Sequence, residues 1–547
     1  MLQKFSTIGE TRQRFRWEIP EHYNIGHDIC DRWAASDPQR LAIIDVAPDG
    51  TATEHSFAAL RAASNRLANL IIAEGIADSR IAVLLPQSFE TAVAHIGIIK
   101  TGNVSLPLFT LFGPEALLHR LRDSGAQAII TNADGARTIA AMRDELPTLR
   151  LVLSVDGDSD DARSFHDACT EQSDEFTVRQ TLADDPAILI YTSGTTGNPK
   201  GALHAQRVLL GHLPGVEMSH DFFPQPGDRI WTPADWAWIG GLLDVMMPAL
   251  HHGVPVVAHR FRKFTAEAAF DLIRTHGIRN AFLPPTALKL MRQMADAEDA
   301  GIRMRSVASG GETLGPELIT WGQKALGVTI NEFYGQTECN MIVSSCAALE
   351  PAEPGVMGFA VPGHEVAVID PTTGQRMGIE AEGEIAVLAP DPVMFLEYFN
   401  KPEATADKFV EGPEGRWLKT GDRGVHTTSG RLRFIGRDDD VISSSGYRIG
   451  PSEIEDCLIT HAAVQMAGVV GKPDPVRGEI VTAFIVLNEG YAASDTLADE
   501  IAAHVKAHLA AYEYPRVVRF LDAMPMTTTG KIIRRDLRQM ATNEQTP

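Results

Sequence analysis

The stretch Tyr191-Thr192-Ser193-Gly194-Thr195-Thr196-Gly197-Asn198-Pro199-Lys200-Gly201 constrains this chain more than any other. Three glycines, four serine or threonine hydroxyls and a lysine stand together directly after an apolar run. Glycines let backbone N–H groups come close to an anion, hydroxyls add donors, and Lys200 adds a charge for outer phosphates. Ala187 to Tyr191 reads as a buried strand entering the loop, and Gly201-Ala202-Leu203 as a strand leaving it. No Gly-Lys-[Ser/Thr] stands at the Walker spacing and no helix start follows, so this phosphate cradle is not of the P-loop kind.

The surrounding sequence alternates strand and helix. Arg80 to Leu85 is an apolar run, Ser88 can cap a helix through Ile99, Val104 to Leu108 is another strand, Pro114 opens a second helix, and Ala126 to Thr131 is a third strand. Such a rhythm predicts helices packed on a largely parallel sheet. Asp156 to Gln180 is polar and aperiodic and reads as a surface excursion. After Gly436-Arg437-Asp438-Asp439-Asp440 the character changes. Ser452 to Glu455 reads as a capping box, strands are expected near Ala467 to Val470 and Ile480 to Leu487, and Leu497, Ile501, Val505 and Leu509 mark one helix face before a strand at Val517 to Phe520. A chain of 547 residues exceeds one core, so two domains are expected, 1–438 and 439–547.

Composition excludes several classes. A net charge of -22 disfavours nonspecific attraction to nucleic acid or to an anionic membrane. The most apolar stretch, near Ile239 to Leu250, is short and carries Asp244, which makes it a buried element rather than a span. Cys30, Cys169, Cys339, Cys346 and Cys457 are odd in number and lack a CxxC, so neither a disulfide framework nor a zinc site is indicated. Met1 to Pro20 has no apolar segment of the signal-peptide kind, and a cytoplasmic location is expected.

The glycine-rich loop closely resembles the signature loop of the adenylate-forming enzymes, which include acyl-CoA synthetases, peptide-synthetase adenylation domains and luciferases. Further motifs recur in that family's order along most of the chain. The resemblance implies a large N-terminal α/β domain with several sheets and a small mobile α+β C-terminal domain, with the hinge at Asp439. It places ATP phosphates on Thr192, Ser193, Gly194, Thr195, Thr196 and Lys200. Gly311, Glu312, Thr313, Glu332 and Phe333 belong to the nucleotide-binding stretches, Tyr334 stacks on adenine, Thr337 contacts phosphate, and Glu338 holds Mg²⁺. A magnesium ion on phosphates wants a carboxylate oxygen, and a purine wants a flat aromatic face. Alone, Tyr334 would read as core and Glu338 as a solvated acid; the five-residue order from Tyr334 to Glu338 carries the assignment.

By the same resemblance, Asp422 accepts hydrogen bonds from the ribose hydroxyls with Arg437 as a donor beside it. Lys531, in Pro525-Met526-Thr527-Thr528-Thr529-Gly530-Lys531, reaches the carboxylate and the α-phosphate as the catalytic cation, alongside Thr337 and Glu338. That context is also one in which bacterial relatives are acetylated, so a lysine acetyltransferase acting on Lys531 is an expected partner. Ser443 to Pro451 resembles the loop of the thioester-forming half-reaction, with Ser445, Gly446 and Tyr447 toward coenzyme A and Arg448 on phosphate. The acyl pocket is expected among Trp236, Trp238, Ile239, Gly240, Gly310 and Gly335. In acetate-activating relatives a tryptophan stands where this chain has Gly335, and bulkier residues where it has Gly240 and Gly310, so an open pocket for an acid longer than acetate is expected. The resemblance thus implies an AMP-forming acyl-CoA ligase using ATP, Mg²⁺ and coenzyme A on a short- to medium-chain carboxylic acid. The alternatives are a stand-alone adenylation enzyme loading a carrier protein, an oxygen-using luciferase, and a nucleotide sensor without catalysis.

Overall fold

The computed structural model describes residues 2–192, 199–294, 297–299, 301–312, 314–437, 440–444, 447–475, 477–509, 513–527 and 531–543. The chain divides into two compact units, 1–365 with 387–409, and 366–386 with 410–547.

Two mixed sheets build the first unit. Among the described residues one has eight strands, with Lys200–Ala205, Pro186–Thr192, Val104–Pro107, Arg80–Leu84, Ala128–Thr131 and Leu151–Ser154 as consecutive neighbours. From Pro186–Thr192 onward these run parallel, while Lys200–Ala205 returns antiparallel. The other has nine, and within it Ile230–Trp231, Asn280–Phe282, Ser306–Gly310 and Ile330–Gln336 are parallel neighbours. Cys339–Ser344 then returns antiparallel. Parallel strands covered on both faces read as continuous apolar runs, which is why Ile81 to Leu84 and Ala128 to Ile130 are buried without alternation.

A continuous core takes Ile43 from the nine-stranded sheet and Ile81 and Val83 from the eight-stranded one. The helix Phe89–Lys100 contributes Ala92, Val93, Ile96 and Ile99 to it, and Ser88 caps that helix by accepting from Thr91 N at 3.2 Å. Even its last residue, Lys100, is buried, with Nζ 2.9 Å from Asp31 Oδ2 and hydrogen-bonded to Ser64 Oγ and Asn65 Oδ1. The excursion from Asp156 to Gln180 is not wholly irregular: Arg163–Ser164 adds an edge strand and Phe165–Thr170 a helix whose Phe165 enters the core. A helix this short has too few turns for its periodicity to show in sequence.

The second unit holds two five-stranded sheets among its described residues. One pairs Gly415–His426 with Leu432–Arg437; the other pairs Val464–Asp474 with Gly478–Leu487 and sets Val517–Phe520 parallel to the latter. The helix Asp495–His508 buries Ile501 and Val505, as its spacing predicts. Ser452 does not form the expected capping box. Pro451 is the first helical residue of Pro451–Ile459, Gly450 is the cap without a side-chain bond, and Glu455 instead accepts from Val469 N and Arg534. Proline at the first position supplies the helical φ and removes one orphan donor, so the start moves ahead of Ser452. All five cysteines are buried free thiols. Among the described residues no helix is long and apolar enough to cross a membrane.

Candidate active site

Pro186–Thr192 and Lys200–Ala205 form an antiparallel pair on either side of the glycine-rich stretch. Thr192 pairs with Lys200 across the stem, while Ser193, Gly194, Thr195 and Thr196 lie outside the described residues. The stem is braced from the helix Pro114–Ser124: Tyr191 donates to Asp123 Oδ2 at 2.6 Å, and His119 Nε2 lies 3.1 Å from Pro199 O. Burial and the Asp123 bond push the Tyr191 phenol far above its ordinary value, so it stays a neutral donor.

On its other side, Lys200–Ala205 pairs with the short strand Glu397–Tyr398, Ala202 opposite Tyr398. That pairing sets the Tyr398 ring 5.0 Å from Lys200 Nζ and turns its hydroxyl to donate to Glu338 Oε1. Phe395 N donates to the Glu338 backbone carbonyl at 2.9 Å, tying the main chain that bears the carboxylate to the same segment. Lys200, Tyr398 and Glu338 therefore form a row from a loop-end lysine to a buried carboxylate. A carboxylate is the kind of group a divalent cation would take, and Glu338 is the one this row presents. Lys408 donates to Gln336 Oε1 at 3.0 Å, bringing a further cation beside Thr337. Neither Tyr398 nor Lys408 has a sequence signal of its own: the strand of Tyr398 is two residues long, too short for periodicity, and Lys408 lies in a turn.

The nucleotide stretches lie side by side because their strands are parallel neighbours, Ser309 opposite Glu332 and Gly310 opposite Phe333. Gly311 follows at φ +93°, a conformation that suits glycine, and turns the chain out of the sheet; Glu312 comes next and Thr313 lies outside the described residues. Glu332 Oε1 accepts from Leu314 N at 3.4 Å, which ties the two stretches. Tyr334 is half-buried and pairs with Val343, and Thr337 stands in the turn before Cys339–Ser344.

The three pocket glycines meet a different geometry from the expected open walls. A Cβ on Gly240 would stand 2.9 Å from Phe282 Cε1, and one on Gly310 would stand 2.6 Å from Phe333 Cε2. On Gly335 it would meet Met341 N at 2.5 Å and Asn340 Cα at 2.6 Å. Neighbours fill the space the missing side chains leave, so these are positions of close packing. Trp238, Phe282 and Phe333 form an aromatic row with centroids 5.9 and 5.1 Å apart, while Trp236 and Ile239 are buried in the core. Asp235 accepts from Arg260 Nη1 at 2.8 Å and from Ala237 N, so its carboxylate is already engaged.

In the second unit, Asp422 and Arg437 are directly opposite across two antiparallel strands. Gly421 N donates to Glu384 Oε1 at 2.7 Å and Asp422 N to Thr420 Oγ1 at 3.2 Å, which holds the strand segment bearing Asp422. Lys531 closes a loop: Thr527 N donates to Lys531 O at 2.7 Å and Lys531 N to Thr527 Oγ1 at 3.0 Å. The helix Arg534–Thr542 that follows is tied to Asp440 through Arg538 at 2.8 Å and to Glu455 through Arg534 at 2.6 Å. These contacts anchor the lysine loop to the residue just past Asp439. Asp439, Ser445 and Gly446 lie outside the described residues, as do the side chains of Tyr447 and Arg448.

Residues 30–399 match the family described as AMP-binding enzyme, and residues 453–531 its C-terminal domain. A rat mitochondrial acyl-coenzyme A synthetase, ACSM4, is 34% identical, over 97% of this chain and 92% of the relative. The acetyl-coenzyme A synthetase of Bacillus subtilis is 32% identical over 95% and 91%. Among solved structures, an acyl-CoA synthetase of Brucella canis is similar at a TM-score of 0.74 and 32% identity, covering 98% of this chain and 99% of that one.

Proposed function

The chain belongs to the AMP-binding enzyme family, and from that premise we propose that it is an AMP-forming acyl-CoA ligase for short- to medium-chain carboxylic acids. The observation that carries this reading is the row Lys200, Tyr398 and Glu338, which sets a phosphate cation and a metal carboxylate at one end of the glycine-rich hairpin. Glu338 would hold Mg²⁺, which neutralises phosphate charge when bound. Lys200 and the loop hold the outer phosphates, and Tyr334 offers its ring to adenine. A carboxylate oxygen attacks the α-phosphorus and pyrophosphate leaves; Lys531 steadies the charge that gathers there. The coenzyme A thiol, losing its proton, then attacks the acyl carbon and AMP leaves.

We assign residues 1–438 to the large domain and 439–547 to a lid turning about Asp439. Asp439→Pro, which fixes φ, should slow thioester formation while sparing adenylation. A cytoplasmic location and acetylation of Lys531 rest on the sequence alone; acetylation would remove the charge that adenylation needs. The decisive assay supplies ATP, Mg²⁺ and acetate, butyrate, hexanoate, octanoate or benzoate, with and without coenzyme A. AMP and acyl-CoA should form together only when acid and coenzyme A are both present. Acid-independent AMP release, or oxygen consumption, would overturn the reading.

A further inference from the structure

Two helices of the second unit bring a thiol and two imidazoles together. Cys457 lies in the last turn of Pro451–Ile459, and His504 and His508, one helical turn apart, stand at the end of Asp495–His508. One nitrogen of each ring and Cys457 Sγ all lie within 4.8 Å of one another. The two ring centroids are 4.3 Å apart. Cys457 is buried, His504 half-buried and His508 exposed, so the cluster has a dry side and an open side. The sequence has no CxxC to announce it, because its members come from separate elements.

Local hydrogen bonds orient both rings. Thr460 Oγ1 donates to Cys457 O at 2.6 Å and therefore accepts from His504 Nε2 at 2.7 Å, which puts the proton of neutral His504 on Nε2. His508 Nδ1 lies 2.8 Å from His504 O, a carbonyl that can only accept, so neutral His508 carries its proton on Nδ1. Each imidazole thus keeps one lone pair for a metal while a protein oxygen holds its other nitrogen, the arrangement of metal-binding histidines. His461 stands beside them, its ring centroid 5.3 Å from that of His504. Its Nδ1 accepts from Ala463 N and its Nε2 faces Glu500 Oε1 at 3.8 Å, which leaves it outside the ligand set. The surrounding charge suits a cation: Glu500 lies one turn before His504, and Cys457 and His508 lie in last turns, where the helix dipole is negative.

We propose that Cys457, His504 and His508 form a zinc site that pins these two helices together. One sulfur and two imidazole nitrogens suit zinc, whereas magnesium takes oxygen ligands. A tetrahedral zinc ion at about 2.0–2.3 Å from each ligand sets the ligand atoms roughly 3–4 Å apart, which small side-chain rotations reach from the present spacing. On binding, the Cys457 thiol gives its proton to solvent, and one thiolate and two neutral imidazoles hold the ion. Water takes the fourth position, on the exposed His508 side. The site lies wholly within the second unit and stands whether or not the ligase reading does.

The test titrates the full chain with Zn²⁺, and separately with Co²⁺, in excess Mg²⁺ and without nucleotide. A single Zn²⁺ should bind, and Co²⁺ should give the sulfur-to-metal charge-transfer band of a bound thiolate. Even a lost orienting partner costs about tenfold to a hundredfold in metal affinity, so His508→Ala, which removes a ligand, should weaken Zn²⁺ binding at least that much. Cys457→Ser should abolish the charge-transfer band. Absence of Zn²⁺ binding, unchanged affinity in His508→Ala, a cobalt spectrum without the thiolate band, or a band that persists in Cys457→Ser overturns the inference. If Cys457→Ser does not fold, His508→Ala, which changes an exposed side chain, and the cobalt spectrum of the unmodified protein decide.

Discussion

At Tyr398 one side chain serves two opposite charges, its ring facing Lys200 and its hydroxyl donating to Glu338. The ring contact contributes about 0.5–1 kcal/mol at such sites, whereas a hydrogen bond to a charged group contributes about 1.5–3 kcal/mol. Tyr398→Phe keeps the first and removes the second. Adenylation, read as ATP–pyrophosphate exchange, should fall by roughly tenfold to a hundredfold and need more Mg²⁺ for half-maximal rate. An unchanged Mg²⁺ dependence would remove Tyr398 from the site. Lys531 lies in the other unit and is proposed to act in one half-reaction. Lys531→Ala should cost roughly a hundredfold or more in adenylation, as loss of a transition-state donor does, while thioester formation from supplied acyl-adenylate continues. Equal losses in both halves would count against that role.

The hairpin Ile330–Gln336 and Cys339–Ser344 carries residues proposed for both the nucleotide and the acyl side of the site. Its register slips between Tyr334 and Gln336, and Met341 sits at φ +54° in the extra length. This brings Asn340 and Met341 against Gly335, where even a methyl group has no room. Gly335→Ala should therefore lower stability by about 1–3 kcal/mol, measured by denaturant unfolding, and reduce activity on all acids alike. Selective loss of long acids with unchanged stability would restore the open-wall reading of Gly335. Sequence shows the strands around this element, because parallel core strands are continuous apolar runs, and it singles out the charged residues proposed for the site because they fall in ordered motifs. It does not show what the glycines face, since that depends on a slip in register between strands. Tyr398 escapes for the related reason that its strand is two residues long, and Asp244 reads only as a charge interrupting an apolar run. The start of Pro451–Ile459 misled because Pro451 outweighs the Ser452 cap signal.

Across the whole molecule the surface is strongly acidic, yet the first unit buries imidazoles that its interior keeps neutral. Burial pulls His95, His204 and His220 to about 3 and His212 to about 4. Their close neighbours are Ser105 for His95, Ser306 and Arg305 for His220, and Arg207 and His212 for His204. In the unfolded chain each would titrate near 6.5, so below that pH the unfolded state binds more protons than the folded one. The stability these histidines contribute is present above about 6.5 and is lost as pH falls toward 4, by about 1.4 kcal/mol per pH unit for each. Asp45, raised by burial to about 6, and Asp244 act the other way, since their folded forms hold protons that the unfolded chain releases above about 4. His55, His252 and His276 are lowered as well and Asp235 is raised, so the lowered histidines outnumber the raised carboxyls and acid brings a net loss. The melting temperature should therefore drop by several degrees between pH 7.5 and 5.5, and His95→Asn, if folded, should show a shallower drop. Equal melting temperatures at the two pH values would falsify the neutral-interior account.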